Sequence, residues 1–367
     1  MSENPEETGG TKEEASDKEE VAIDVAQENN ASEVLDELVV TTTRAQAPRL
    51  DNPGNITTLD PDTRLSNYPA DLLNQAPGIN IHRGNGQEHL TAIRSPVLVG
   101  GAGAGSFLYL EDGISMRAPG FANVNALMDA MPGHAQSIEI VRGPGSALYG
   151  SNAVHGLINF ISGPITENET RLNSSAGSYV RYALTGQSSY VGDASAARFS
   201  ISLTGDEEGY RADSGFEQQK MRIETQWRTG MTDYHFSLAG MNLNQETAGF
   251  IRGDDVYKDD AARRSNPNPE AYRDVQSALL YSSITPADQS GDWQVTPYLR
   301  WNQMRFLQHY LPGQPLEDNS HQSIGAQSQW TLSESLRIGA DMEFTTGSLY
   351  QFQEGTTQGS PFLVGTI

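Results

Sequence analysis

The side chains best equipped for chemistry in this 367-residue chain are arginines, aromatic residues and a few histidines, and they form no catalytic constellation. Arg83 and Arg117 carry planar, permanently charged forks suited to an anionic chelate. Phe121, at the end of Met116-Arg117-Ala118-Pro119-Gly120-Phe121, offers a ring that can stack on a planar ligand. The glycine run Gly100-Gly101-Ala102-Gly103-Ala104-Gly105 stops at Ser106, without the third glycine of G-x-G-x-x-G and outside any clear βαβ unit, which argues against a dinucleotide cradle. A G-x-S-x-G elbow and an H-E-x-x-H helix are both missing. The seven histidines are scattered; His82 and His89 flank one loop, but two imidazoles without further ligands make a poor metal site. With no cysteine, disulfides and thiolate metal sites are unavailable. With 47 Asp and Glu against 24 Lys and Arg, the chain lacks the basic footprint of a nucleic-acid binder. The expectation is a binding protein with no enzymatic activity, no metal site and no cofactor.

The elements that position these residues fall into four stretches. Residues 1–35 are Glu-rich with almost no large apolar side chains, so they cannot bury enough surface to offset ordering entropy and are expected to be disordered. Residues 36–44 are a short β-prone island, 45–163 mix helix and strand signals, and 164–367 alternate. No run approaches the roughly 18 apolar residues of a membrane helix. The longest apolar hint in the leader, Val21-Ala22-Ile23, falls short of an export signal, so the sequence is expected to begin after that signal or to have lost it.

In Leu336-Arg337-Ile338-Gly339-Ala340-Asp341-Met342-Glu343-Phe344 every even position is apolar and the odd ones are charged or Gly. The same period of two runs through Met221–Trp227, Phe199–Thr204 and Ile324–Trp330, and begins again at Trp293-Gln294-Val295-Thr296. It assigns one residue set to each face of a sheet. Short links at Val191-Gly192-Asp193, Thr229-Gly230-Met231, Ser290-Gly291-Asp292 and Leu332-Ser333-Glu334 alternate with long polar stretches at 205–215, 244–270 and 308–320. Short turns on one side and long loops on the other suit an outer-membrane barrel. The period is equally compatible with an antiparallel sandwich or a soluble barrel. The pattern predicts roughly nine strands.

The preceding region carries stronger motifs. Ala76-Pro77-Gly78 ends a helix, because Pro removes a donor and Gly permits the turn. Asp112-Gly113 suits a two-residue hairpin. Ile138-Glu139-Ile140-Val141 reads as a strand running into the turn Arg142-Gly143-Pro144-Gly145, after which Leu148-Tyr149-Gly150 can close the domain. In this order and spacing, Asp71-Leu72-Leu73-Asn74-Gln75-Ala76-Pro77-Gly78-Ile79-Asn80-Ile81-His82-Arg83, Leu110-Glu111-Asp112-Gly113-Ile114 and the block from Ile138 to Ser162 resemble the plug domain of TonB-dependent outer-membrane receptors. The long last block is the most specific. The match departs at Arg94-Ser95-Pro96, where the family often has Arg-Gly, and at His155-Gly156, where it has paired glycines. His155 is either a ligand or proton switch, or a packing substitution.

The resemblance implies a mixed α/β plug followed by antiparallel transmembrane barrel strands, with the barrel incomplete: the family's barrel has about 22 strands. It implies that Asp36-Glu37-Leu38-Val39-Val40-Thr41 is a TonB box, an extended segment that can add to a partner's sheet edge; an ordinary edge strand is the alternative. Arg94 and Arg142 resemble the plug arginines that pair with barrel glutamates, and surface ion pairs are the alternative. Arg83, Gly101, Gly103, Met116, Arg117 and Phe121 fall on outward plug loops that would touch substrate. The implied protein is a monomer of the Gram-negative outer membrane. It would import a scarce nutrient complex, a ferric siderophore before cobalamin, haem or a glycan, powered by TonB and its inner-membrane complex. A leader of about 35 residues looks too short for an added signalling domain. A non-transporting surface-binding β protein and a truncated product are the other expectations carried forward.

Overall fold

The computed structural model describes residues 39–40, 47–48, 55–61, 68–96, 106–118, 123–286, 293–333 and 336–366. The chain divides into Met1–Ile56 and Thr57–Ile367. In the first part, β1 (Val39–Val40) and β2 (Ala47–Pro48) pair antiparallel, Val39 opposite Pro48. The expectations for residues 1–38 and 41–46 lie outside the described residues.

The mixed domain comprises β3 (Ile56–Leu59), α1 (Pro69–Leu73), β4 (Ile79–Arg83), β5 (His89–Ile93), β6 (Phe107–Glu111), β7 (Ile114–Ser115), β8 (Ser137–Arg142), α2 (Ser146–Tyr149) and β9 (Gly156–Ile161). One sheet has the order β3-β8-β9-β6-β7, and β4-β5 is a separate hairpin. The pair β6·β9 is parallel; β8·β9 and β6·β7 are antiparallel. Leu73, Ile93, Tyr109, Leu127, Ile138 and Ile158 pack into the core beneath. The expected turns form. Asp112 and Gly113 join β6 to β7 with φ of 47° and 82°, the left-handed pair a two-residue hairpin needs. The α1 helix ends at Asn74, and the chain reverses through Pro77 to Gly78 at φ 80°. Gly156 is fixed by close approach: a Cβ there would lie 2.5 Å from the Val141 carbonyl oxygen.

Ten antiparallel strands follow, each bonded to its sequence neighbour: β10 (Glu169–Gly177), β11 (Arg181–Val191), β12 (Ser195–Asp206), β13 (Phe216–Thr229), β14 (Thr232–Glu246), β15 (Tyr272–Pro286), β16 (Trp293–Leu307), β17 (Leu316–Ser333), β18 (Leu336–Gln353) and β19 (Thr356–Thr366). β10 and β19 are the edges, so the sheet is open. The reading of roughly nine strands becomes ten, and the stretch read as a loop to residue 320 is already strand from Leu316. The links at 192–194 and 230–231 lie on one side, with 207–215, 247–271 and 308–315 on the other; the expected links at 290–292 and at Glu334 lie outside the described residues.

The sheet's polarity separates the membrane reading from a sandwich. Cross-strand partners Phe199–Ile223–Leu238–Leu280–Leu299–Ile324–Phe344 form one unbroken apolar row on the outer face. Ile324 is 60% and Phe344 57% exposed. The opposite face buries Arg198, Lys220, Arg222, Glu224, Arg300 and Glu343 against protein. A water-soluble sandwich buries the apolar set; an outer-membrane barrel turns it to lipid. The outer band is bounded on the long-loop side by an amide ladder, Gln276 to Asn242 (3.1 Å) to Gln219 (2.7 Å). At the short-turn end, Trp227 stacks on Tyr234 with centroids 5.1 Å apart, and Trp293 pairs with Trp330. Amphipathic rings belong at such an interface. By register Trp227, Trp293, Trp301 and Trp330, the chain's four tryptophans, share this outer face. In bilayers of brominated-acyl lipid, most of the intrinsic tryptophan fluorescence is therefore expected to be quenched; emission unchanged from that in non-brominated lipid would exclude a lipid-facing surface.

Candidate functional site

The mixed domain is held to the inner sheet face by two apolar clusters, Tyr68 and Met128 against Phe216, Leu243 and Phe306 and Ile114 against Leu279 and Tyr298, and by polar contacts, of which β13 supplies a run. Alternation sends Met221 and Ile223 outward and Gln218, Lys220, Arg222 and Glu224 inward. Gln218 Nε2 donates to the Met128 carbonyl (3.0 Å) and Lys220 Nζ to the Ala130 carbonyl (2.6 Å). Arg222 Nη2 meets Glu111 Oε1 at 2.5 Å, and both side chains are almost fully buried. Glu224 takes both guanidinium nitrogens of Arg198 at 2.7 and 2.8 Å, while Arg198 also donates to the Ser162 carbonyl (2.8 Å). Farther along, Arg273 Nε meets Glu88 at 2.8 Å. Arg300 joins Glu343 and donates to the Ser115 carbonyl at 2.6 Å. The Asp112 carboxylate accepts from Ser162 N (2.9 Å), from Ser162 Oγ (2.7 Å) and from the Tyr281 hydroxyl.

Burial pushes the Glu111 carboxyl up from its ordinary range, and the Arg222 charge opposes that shift. Burial likewise raises Asp129, with Arg117 and the Ser277 hydroxyl opposing. His89 is enclosed in the β4-β5 hairpin, and desolvation pushes its imidazole down to about 3. His134 is pushed down to about 4 for the same reason.

The residues singled out from sequence meet different fates. Arg83, the last residue of β4, stacks its guanidinium over Tyr68 (3.7 Å to the centroid) and lies 3.7 Å from Asp71; it stays partly exposed. Its hairpin reaches the long-loop side, where Asn85 Nδ2 donates to the Ala248 carbonyl (2.6 Å). Met116 and Arg117, expected at an outward surface, are instead buried: β7 leads the chain beneath the sheet, and Arg117 pairs with Asp129 at 2.8 Å. Gly101, Gly103 and Phe121 lie outside the described residues, as do Asp36, Glu37, Leu38 and Thr41; Val39 and Val40 are in β1. Arg94 and Arg142 come together. Arg94, at φ 49°, covers Gly78, and Arg142 Nη1 donates to the Pro77 carbonyl at 2.9 Å. His155 packs its ring against Phe107, centroids 5.8 Å apart. His82 is exposed while His89 is buried, so the two imidazoles share no site.

Sequence reading missed Glu111, Glu88 and Asp129 on the mixed domain, and Lys220, Arg222, Arg273 and Arg300 on the strands. The ion pairs Glu111–Arg222 and Glu88–Arg273, which cross the interface, have the reverse of the expected polarity, with acids on the mixed domain and cations on the sheet. Their one sequence signal was a full charge at the polar positions of an alternating strand, as in Lys220-Met221-Arg222-Ile223-Glu224.

Residues 49–157 match the TonB-dependent Receptor Plug Domain. The whole architecture is similar to solved receptors. One is the unliganded ferric citrate transporter FecA, with 14% identity, 85% of this chain and 50% of that one covered, and a TM-score of 0.67. Another is the ferripyoverdine receptor of the outer membrane of Pseudomonas aeruginosa, with 14% identity, 86% and 46% covered, and a TM-score of 0.68. A third is the siderophore receptor PiuA from Acinetobacter baumannii, with 15% identity, 89% and 50% covered, and a TM-score of 0.63. The chain spans about half the length of these receptors.

Two outcomes are expected. Replacing Arg222 with Met leaves Glu111 buried without its counter-charge, and Glu111→Leu strands Arg222; each should destabilise by about 3–5 kcal/mol. The double variant should recover much of that, and additive losses in chemical unfolding would deny the pairing. His89 is neutral when folded but titrates near 6.5 when unfolded. Its contribution is therefore complete above pH of about 6.5 and lost as pH falls toward about 3. His89→Gln should flatten that limb of the stability profile; an unchanged limb would place the acid sensitivity elsewhere.

Proposed function

Residues 49–157 are a TonB-dependent receptor plug domain and the strands behind them have the fold of an outer-membrane receptor barrel, and from that premise we propose that the chain captures a scarce nutrient complex at the Gram-negative outer membrane for energised import. The observation that carries the reading is the combination of a domain anchored by buried polar contacts with a sheet whose other face is apolar. Such an anchor can be released without unfolding the barrel wall, which a passive adhesin has no use for.

A ferric siderophore is the favoured cargo. Solved structures similar to this chain include a ferric citrate transporter, a ferripyoverdine receptor and a siderophore receptor, and Arg83, half-exposed over Tyr68, suits an anionic chelate. Gly101, Gly103 and Phe121 would complete the outward surface, while Met116 and Arg117 support it from beneath. Residues 36–41 would add as a strand to TonB once ligand binding shifts the plug population toward exposure of that segment. Arg94 and Arg142, side by side over Gly78, would take the plug-locking role with barrel glutamates.

Two measurements test this. Val39→Pro removes a backbone donor from the TonB segment, so co-purification with the TonB C-terminal domain should fall at least tenfold; undiminished recovery would refute the assignment of that segment. Cells lacking their own siderophore receptors should take up radio-iron as siderophore complexes when they express this receptor, and Val39→Pro should abolish uptake without abolishing binding. No uptake across hydroxamate, catecholate and carboxylate siderophores would turn the cargo toward cobalamin, haem or a glycan.

A further inference from the structure

The outer sheet face is layered along its strands. Nearest the long loops, register sets Glu217, Asn244, Asp274, Arg305, Asp318 and Tyr350 in one row across β13 to β18. The next row is uncharged, and every member carries a hydrogen-bonding side chain: Gln219, Asn242, Gln276, Gln303, Ser320 and Ser348. Asn242 Nδ2 donates to Gln219 Oε1 at 2.7 Å and Gln276 Nε2 to Asn242 Oδ1 at 3.1 Å, while the Ser320 and Ser348 hydroxyls lie 3.3 Å apart. A carboxamide has two N–H groups and an oxygen with two lone pairs. Each link of this ladder therefore leaves donors and acceptors to spare.

Beyond these rows the apolar band is not smooth. A hollow of about 430 Å³ opens where Ala278 stands between Gly240 and Trp301, with Thr346 and Leu363 on its far rim. A second, of about 530 Å³, lies within β14 to β18, away from both sheet edges, lined by Phe236, Ser282, Pro297, Ala326 and Met342. Pro297 brings no N–H to the ladder, and strand pairing lapses there between Tyr281–Tyr298 and Ile284–Val295. Leu280, Leu299, Ile324 and Phe344 border both hollows, which therefore adjoin as one groove. The strand from Gln276 to Ser282 covers about 20 Å at the usual rise, or about 14 Å of depth at a tilt near 45°. A hydrocarbon core is about 30 Å thick, so ladder and groove together span a single leaflet, the one on the long-loop side.

We propose that this surface seats one saccharide-headed lipid of the outer leaflet, with its acyl chains in the groove and its first sugar and amide linkages on the carboxamide row. The seat follows from the lipid-facing sheet and depends on neither cargo nor TonB. Long loops mark the outward end of an outer-membrane barrel, so a headgroup at the ladder faces the cell exterior. Sugar hydroxyls and amide-linked chains both donate and accept, as the carboxamides do. The glycerol esters of a phospholipid at that depth only accept. Arg305 stands between Asp274 and Asp318 by register, and Glu217 adds a further acid to the row. That charge balance disfavours a headgroup held by its phosphate alone. Below, the small side chains at Ala278, Ser282 and Ala326 leave room for methylene groups to make dispersion contacts on several sides at once.

Native mass spectrometry of the full chain reads bound lipid and oligomeric state together. The chain would be reconstituted with equal amounts of an acylated glucosamine disaccharide and phosphatidylethanolamine, then released in a mild detergent. It should retain the glycolipid about tenfold more often than the phospholipid. Asn242→Leu combined with Gln276→Leu removes the ladder, and Ala326→Phe, remote from it, fills the larger hollow. Each should erase that preference, whereas Ala340→Phe, on the same face outside both hollows, should leave it intact. Equal retention of the two lipids by the parent, or a preference that survives both the ladder variant and Ala326→Phe, would overturn the seat. A lipid-free dimer would give the groove to a second copy of the chain and overturn it as well. A parent chain whose tryptophans escape quenching by brominated lipid would overturn the seat together with the lipid-facing surface.

Discussion

Everything in this molecule depends on the constraint that backbone polar groups facing hydrocarbon must be satisfied within the protein. The ten strands, 9 to 18 residues long, satisfy it between neighbours by pairing each with the next, leaving only the outer edges of β10 and β19 without a strand partner in this sheet. That frees one face to be wholly apolar, and the row from Phe199 to Phe344 uses it. The same pleat forces the alternate residues inward. There a mostly polar set, Gln218, Lys220, Arg222, Glu224, Arg300 and Glu343, must find partners or strand buried charge. The plug supplies many of those partners. The lipid-facing pattern and the plug's docking are thus two consequences of one alternation.

A polar interface is a particular way to hold a domain. Buried ion pairs add little net stability against an apolar substitute, yet they are costly to break singly and demanding in geometry. Glu111 with Arg222 and Glu88 with Arg273 therefore fix the plug's register on the sheet more than they glue it there. An apolar interface of the same size would tolerate sliding. A charged one comes apart in discrete steps as individual pairs are exchanged for water.

The contacts between the mixed domain and the sheet differ from strand to strand. Along β13 to β16 buried ion pairs alternate with apolar packing of Tyr68, Met128 and Ile114 against the sheet, and on β11 the contacts include His134 with Gly186 and Arg181 beside Tyr68. Motion is expected first where fewest buried contacts must open. The partly exposed Arg83 and Arg181 sit beside Asp71 and Asp206 at the long-loop end of that side.

Local chemistry was legible without a structure. The period of two in Leu336–Phe344 and Met221–Trp227, the Asp112-Gly113 turn and the reversal at Gly78 are rules of neighbouring residues, and they hold in the fold. The block from Ile138 to Ser162 likewise carried the plug's strand–turn–strand ending. What alternation could not disclose is which solvent each face meets, because the same pattern serves a sandwich and a barrel. That was decided when the charged face met the plug and the apolar row stayed exposed among the described residues. Partnerships were equally hidden. Glu111 finds Arg222, and Glu88 finds Arg273, across long stretches of chain, and only sheet register and plug docking bring them within bonding distance. Arg117 misled because its exposure depended on where β7 delivers the chain, which is a property of the assembled sheet and of no segment within it.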